Sequence, residues 1–373
     1  MIVLYLLVWA AFIAYHVRAF RATQHEPRNW DAVSLPEGER PKLSVLVPAW
    51  NAREDIPAFV NAFQSVDYPD KELILCVGGS DEGLQTAQHF SVAEGAPVQV
   101  LEQLAGEGKQ GGLRKCFAAS SGQIIYLTDI DCRMDSESLQ RVLEPILAAQ
   151  EQVVTGSSKP TSEQQTIAAV RVHWSLVRKA ERLEPRYIKG ILGRNCAVSR
   201  EALDKIGGFD FDAPTGTDYR LAQELFRAGY KILLVPASEI ETEYAWPLRS
   251  YIRKRGRWVR NVLLFAERPK QNAEYYNALS VALLPMVMAL ALLLSLLSSP
   301  ILPPNIAWFP AFMVLLLFLH GALNRLRYAY ETLGSEQLSL ATLKGAFVNW
   351  SGQLAAGVYA FWTWVNPDLR KRW

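Results

Sequence analysis

Hydrophobic and polar positions divide the chain into three parts. Residues 1–17 form an apolar run whose side chains carry no formal charge if His16 is neutral, and Arg18 and Arg21 follow it. The run has no basic start and no small-residue cleavage site, so it reads as an uncleaved anchor rather than a signal peptide. It is slightly short of the ~20 residues of a full span. From about residue 41 to 264, short β-rich runs alternate with stretches of helical spacing. Strands are expected at 43–47, 73–77, 98–101 and 124–127, and helices at 56–66, 111–120 and 136–149. Asp55 before the first of these helices and Pro57 in its first turn are start signals. Such alternation predicts an α/β unit: a Rossmann-like, mostly parallel sheet covered by helices on both faces.

The third part, 276–365, is apolar again. Blocks 279–297 and 306–323 are joined by a Pro-rich, uncharged connection and read as a helical hairpin through a bilayer. Arg325 and Arg327 then mark a cytoplasmic return. Block 345–364 is interrupted by Asn349, Ser351 and Gln353. If it spans, Arg370, Lys371 and Arg372 end on the far side, against the positive-inside rule. If it lies in the interface, they stay cytoplasmic.

Composition adds two restrictions. The net charge of the 373 residues is only +2, so no global field points to nucleic acid. The four cysteines, Cys76, Cys116, Cys132 and Cys196, form no CxxC pair, and the histidines lack zinc-site spacing. Scattered single thiols fit a reducing compartment, which makes the soluble part cytosolic.

Ligands of parallel α/β sheets bind beyond the carboxyl ends of the strands, so the residues after each strand are the candidates for chemistry. Pro48-Ala49-Trp50-Asn51 follows the first strand and Gly78-Gly79-Ser80-Asp81 the second. The two glycines either let the backbone approach a ligand or make an ordinary turn. Thr128-Asp129-Ile130-Asp131 follows the fourth. Strand periodicity puts Asp129 and Asp131 on one side. Two such carboxylates repel without a cation, and magnesium typically takes one or two carboxylates plus substrate phosphates. The tripeptide also occurs in solvated turns, and its place after an apolar strand favours the metal reading. Gly216-Thr217-Asp218 opens a helix with apolar Leu221, Ala222, Leu225 and Phe226 on the side of Asp218. Asp218 either stabilises the helix N-terminus, by ~0.3–1 kcal/mol, or serves as a general base. The run from Arg253 to Trp258, with Arg260 beyond, carries Ile252, Val259, Val262 and Leu263 on one helical face. It suits an amphipathic helix at 248–264 on anionic lipid. It also suits a diphosphate clamp by Arg257 and a neighbour, Lys254 or Arg255, with Trp258 beneath an acceptor.

Taken in order, these motifs resemble the membrane-integrated inverting glycosyltransferases of family 2, which have a GT-A fold. The resemblance runs from about Leu43 to Arg260. Pro48-Ala49-Trp50-Asn51 is similar to the family's Pro-Ala-Tyr-Asn, which lines the nucleotide pocket. Lys109 falls on its Gly-Lys segment near base and phosphates, and Asp129 and Asp131 fall on the D-x-D motif. The stretch from Gly193 through Asn195 to Phe209 is similar to the acceptor-side segment. Thr217-Asp218 falls on the Glu-Asp motif, and Lys254 to Trp258 on Gln-x-x-Arg-Trp. Three departures stand out. Val77-Gly78-Gly79-Ser80 replaces Asp-Asp-Gly-Ser, so the carboxylate toward the base is absent unless Asp81 supplies it. Lys254 replaces Gln, and no His matches the third metal ligand some members carry near Thr242. The ending Leu75-Cys76-Val77 is similar to ceramide glucosyltransferases and favours a lipid acceptor.

The resemblance implies an integral membrane protein with a catalytic GT-A domain at 41–264 on the cytoplasmic face. The implied reaction is inverting transfer from a nucleotide sugar, a UDP-sugar first, to a lipid or lipid-linked acceptor, with Mg2+ or Mn2+. Asp131, with Asp129, is implied as metal ligand. Pro48, Ala49, Trp50, Asn51, Gly79, Asp81, Lys109, Asp129 and Lys254 are implied for the nucleotide sugar. Asn195, Thr217 and Trp258 are implied on the acceptor side, and Asp218, Arg257 and Trp258 in catalysis. Two alternatives stand beside this: a processive polysaccharide synthase, which usually carries more spans, and a membrane scaffold or nucleotide-binding subunit without activity.

Overall fold

A computed structural model of the protein describes residues 2–26, 31, 35, 38, 40–91, 95–213, 215–266 and 272–369. The basic end at 370–372, on which the orientation of block 345–364 turned, lies outside the described residues. The strands are β1 (Leu43–Trp50), β2 (Lys71–Gly78), β3 (Val98–Glu102), β4 (Ile124–Leu127), β5 (Cys132–Arg133), β6 (Val153–Pro160), β7 (Tyr187–Ile188), β8 (Cys196–Ser199) and β9 (Ile232–Thr242). The helices are α1 (Ile2–Ala22), α2 (Ile56–Ser65), α3 (Gly83–Phe90), α4 (Gly108–Ala119), α5 (Ser136–Leu147), α6 (Ala168–Leu183), α7 (Arg200–Lys205), α8 (Thr217–Arg227), α9 (Leu248–Phe265), α10 (Asn272–Ser298), α11 (Pro304–Ala307), α12 (Phe309–Leu333) and α13 (Leu340–Val365). They form two compact units. One comprises Trp30–Thr161 and Leu183–Glu243. The other comprises Met1–Asn29, Ser162–Arg182 and Tyr244–Trp373.

The first unit is built on a mixed sheet of order β3-β2-β1-β4-β8-β6-β9-β5, with β7 beside β9. Strands β3, β2, β1 and β4 run parallel, as the alternation of strand and helix predicts. β8 then enters antiparallel to β4, pairing Cys196 with Leu127. That reversal matters, because the loop before β8 then lies beside the residues that follow β4. Successive side chains on each strand feed opposite layers. Val45, Val47, Leu73 and Leu75 pack with Phe59, Phe63, Leu139 and Val142 of α2 and α5. Leu46, Ile74 and Leu127 pack with Leu113, Leu203 and Leu221 of α4, α7 and α8. All four cysteines are buried, unpaired thiols, and Cys76, Cys116 and Cys196 belong to the second layer.

At the amino ends of β1 and β2, away from the ligand end of the sheet, Glu72 is buried among donors. It accepts from Ser44 Oγ at 2.6 Å and Ser121 N at 2.7 Å, and Lys42 Nζ lies 2.8 Å away. Burial alone would raise its pKa; the bonds from Lys42, Ser44 and Ser121 outweigh that and hold the carboxyl at about 2.

The second unit contains three helices long and apolar enough to cross a membrane: Ile2–Ala22, Ala273–Ser298 and Pro304–Leu333. The first extends past the apolar run, since Arg18 and Arg21 end hydrophobicity without ending a helix. Val287, Leu290, Leu294 and Leu297 of α10 are exposed, as lipid-facing side chains are. α13 is one continuous helix, and its buried face is rich in small residues: Gly345, Ala346, Gly352, Ala356, Gly357 and Ala360. A Cβ on Gly357 would lie 2.3 Å from the Val281 carbonyl oxygen of α10, and one on Gly352 would lie 2.7 Å from Leu248 of α9. Small residues let these helices approach backbone to side chain. The polar interruptions Asn349 and Gln353 lie buried on the same face.

Candidate active site

The ligand end of the first unit's sheet gathers four segments. β1 ends in Trp50, and Asn51 follows with a left-handed backbone, φ 51°. Its N–H donates to Gly78 O at 3.0 Å and its Oδ1 accepts from Ser80 N at 2.8 Å. A Cβ on Gly79, at φ +121°, would sit 2.2 Å from Asn51 Oδ1. A Cβ on Gly78 would sit 2.2 Å from Gln103 O and 2.7 Å from the Trp50 ring. A side chain at position 78 therefore has no room, first against the Gln103 carbonyl and then against the Trp50 ring. Asp81 accepts from Arg53 N at 2.7 Å and Gly83 N at 3.1 Å, so it fixes the turn that enters α3. Pro48 and Ala49 complete the strand end, with Ala49 buried and Pro48 Cβ 3.0 Å from the space a side chain on Gly112 would fill.

The first turn of α4 delivers Lys109, whose side chain is 16% exposed. Its Nζ lies 2.8 Å from Asp129 Oδ1 and 3.1 Å from Asp218 Oδ1. One ammonium therefore joins a carboxylate after β4 to one on the first turn of α8. Burial would lower the lysine pKa, but Asp129 and Asp218 outweigh it and hold the ammonium charged well above its ordinary range. Both carboxylates stay more than a third exposed, which leaves the cluster open on one side. α8 begins from Gly216 in the left-handed region, φ 71°. Thr217 beside it is buried, and its Oγ1 meets no hydrogen-bond partner among the described residues.

Asp131 accepts weakly from the Cys132 thiol, Sγ to Oδ1 3.8 Å. Burial, then the charges of Asp131 and Asp129, push the Cys132 thiol up to about 12. The strand end therefore offers hard carboxylate oxygens beside a protonated thiol. That donor set suits a hard divalent cation rather than a thiolate metal. Among the described residues no group of three or more His, Cys, Asp or Glu side chains is placed to hold a metal. The carboxylate pair would therefore need oxygens from a bound ligand, and donor phosphates are of that kind.

The loop before β8 closes the site. A Cβ on Gly193 would lie 2.2 Å from Asp218 Cγ and Oδ1, so the carboxylate occupies the space of a missing side chain. Asn195 is fully buried. Tyr126 donates to its Oδ1 at 3.0 Å, and its Nδ2 donates to Ser157 O at 2.9 Å and Ser238 O at 3.0 Å. It fills a bulge of β6 at Gly156, where a Cβ would lie 2.3 Å from Nδ2. Its amide is used in pinning three strands, β4, β6 and β9.

The structure thus brings Lys109, Asp129, Asp218 and Gly193 together, with Asp131 next to Cys132 on the same segment. Asp81 and Asn195 serve the scaffold around them. Lys254, Arg257 and Trp258 lie on α9 in the other unit. There Trp258 is largely exposed and packs under the Arg255 guanidinium at 4.7 Å. Motif order places Gly193 in the acceptor-side segment; that it makes room for Asp218 is visible only in the structure, where it lies in the turn closed by Asn195 N donating to Leu192 O at 2.9 Å.

A sheet of this order, with acidic residues after its fourth parallel strand and an aspartate opening a later helix, defines a GT-A nucleotide-sugar fold. A mannosyltransferase from Pyrobaculum calidifontis, solved with GDP-Man and Mn2+, shares that fold, with TM-score 0.51 and 17% identity over 95% of each chain. Residues 41–261 match the family described as "Glycosyltransferase like family 2", and the chain belongs to it. Two relatives are "Probable glycosyltransferase YdaM" of Bacillus subtilis, 26% identical over 235 residues, and the beta-monoglucosyldiacylglycerol synthase of Synechocystis, 25% identical over 277 residues. The alignments cover 60% and 68% of this chain, and the chain spans about half the length of each relative, 55% in both cases.

Proposed function

We propose that the protein transfers a sugar, with inversion, from a nucleotide sugar to a membrane-associated lipid acceptor. One observation carries the reading: Lys109 Nζ is within ion-pair distance of both Asp129 and Asp218. The acidic motif expected at the donor phosphates and the aspartate expected at the acceptor hydroxyl therefore meet around a single cation. Asp218 takes the proton of the acceptor hydroxyl as its oxygen bonds to the anomeric carbon. The bond from that carbon to the diphosphate breaks, and the nucleoside diphosphate leaves with the electron pair. Attack from the face opposite the leaving group inverts the configuration. Lys109 holds Asp218 in place by their ion pair until the hydroxyl arrives. The family resemblance gives Arg257 the charge growing on the leaving diphosphate and Trp258 the acceptor side.

With Asp129 already carrying Lys109, we assign Asp131 as the direct ligand of Mg2+ or Mn2+, with Asp129 and donor phosphates completing the set. When bound, such an ion neutralises the diphosphate and makes it a better leaving group. The lipid acceptor is supported by the name of the Synechocystis relative and by three helices apolar enough to span. The cytoplasmic placement of the catalytic unit is supported by Arg325 and Arg327 after the second hairpin segment. Asp218→Asn tests the reading. Transfer should fall by about 10²–10⁴-fold, the usual worth of a general base, while calorimetry shows nucleotide binding retained. Retained turnover, or loss of nucleotide binding, would each count against the role.

A further inference from the structure

Two arginines of the second unit are withdrawn from bulk solvent beside neutral partners alone. Arg325 on α12 is 8% exposed. Its Nε donates to Asn349 Oδ1 at 2.8 Å, an Nη donates to Gly321 O at 3.0 Å, and the guanidinium stacks 4.4 Å from the Trp350 ring. Arg255 on α9 is partly buried and donates from Nε to Gln353 Oε1 at 3.1 Å. The Tyr251 hydroxyl donates to the same oxygen at 3.2 Å, and Asn349 also bonds Tyr251. Arg325, Asn349, Tyr251, Gln353 and Arg255 therefore form one continuous polar chain across α12, α13 and α9. Among the described residues no carboxylate pairs with either guanidinium. Burial pulls the Arg255 guanidinium below its ordinary value.

A buried cation without an anion is strongly unfavourable. Helix-to-helix adhesion does not require it, since Asn or Gln would bond as well without charge. Placing a second guanidinium on the same network adds like-charge repulsion that only a shared anion removes. A planar guanidinium fork fits phosphate oxygens in a bidentate way. The apolar stretch of α12 ends just before Arg325, and lipid phosphates lie at the level where an apolar span gives way to polar residues. Trp350 and Trp258 flank the pair, and tryptophans favour that level.

We propose that Arg255 and Arg325, with Tyr251, Asn349 and Gln353, bind a phosphate anion, the headgroup phosphate of an anionic lipid, among α9, α12 and α13. The proposal does not rest on the reading of the Lys109 cluster. The test is the thermal unfolding midpoint of the full chain in neutral detergent. It is titrated with phosphatidylglycerol in mixed micelles, with inorganic phosphate, and with phosphatidylcholine. Phosphatidylglycerol should raise the midpoint saturably and phosphatidylcholine should not. Arg255→Gln and Arg325→Met should each weaken that binding by at least about tenfold, the scale of one charge-assisted bond, whereas the exposed Arg253→Gln should not. In the absence of anion, Arg325→Met should leave the midpoint unchanged or raise it, because it removes an unpaired buried charge. An equal, arginine-dependent shift with inorganic phosphate would assign the same site to a free phosphate group. No shift with either anion, or wild-type shifts in both arginine variants, would overturn the proposal. If Arg325→Met fails to fold, Arg255→Gln with bound lipid counted by native mass spectrometry decides the question. A count equal to wild type would then overturn it.

Discussion

Gly193 and Asp218 show how residue-level geometry constrains the chemistry. The carboxylate of Asp218 stands where a Gly193 side chain would be, so Gly193→Ala must push it aside. Displacement of a reacting group by about 1 Å costs on the order of 10²-fold in rate. We expect Gly193→Ala to lose transfer by about that factor, with an unfolding midpoint and nucleotide affinity close to wild type. Steady-state kinetics beside calorimetry measure both. The aspartates could be singled out in the sequence because each follows an apolar strand or opens an amphipathic helix. Lys109 was marked only by the family resemblance, and that it joins the two aspartates depends on the packing of α4 against β1 and β2. The acceptor-side role expected of Asn195 also came from motif order. The structure commits that side chain to Tyr126, Ser157 and Ser238, a fact of tertiary packing that no local pattern carries.

At the scale of elements, the four parallel strands and their helices were legible because their apolar runs are short, continuous and bounded by turn residues. β8 was not. Its four residues, Cys196–Ser199, are short and follow α6 and the two-residue β7, and they return antiparallel beside β4 instead of making the parallel strand that a preceding helix suggests. α13 was legible as a helix-length block, while the purpose of Asn349 and Gln353 was hidden. They interrupt the apolar pattern because they face Arg325, Tyr251 and Arg255. The β1–β2 pair carries a pH prediction. Glu72 titrates at about 2 in the fold, below the ordinary 4.5. Its contribution is therefore complete above about pH 4.5 and fades as pH falls toward 2, by about 3 kcal/mol in all. The stability difference between the full chain and Glu72→Gln should be constant above about pH 5 and close to zero near pH 2. Thermal unfolding followed across that range checks it, and a difference that persists at pH 2 would refute the network.

At the scale of the whole molecule, sequence and structure agree on a GT-A unit and on helices suited to a bilayer, and the chain belongs to glycosyltransferase like family 2. The sugar, the nucleotide and the acceptor depend on side chains lining a loaded site, which is why neither strand patterns nor the fold selects them. The account rests on the cluster of Lys109, Asp129 and Asp218 being a sugar-transfer centre. Its most direct test is mass spectrometry of detergent-purified protein incubated with a panel of nucleotide sugars, a divalent cation and a lipid extract. The account predicts a lipid that gains one sugar mass with a particular donor, and no such product from Asp218→Asn. The same product from that variant, or no product and no nucleotide release from wild type with any donor, would contradict it.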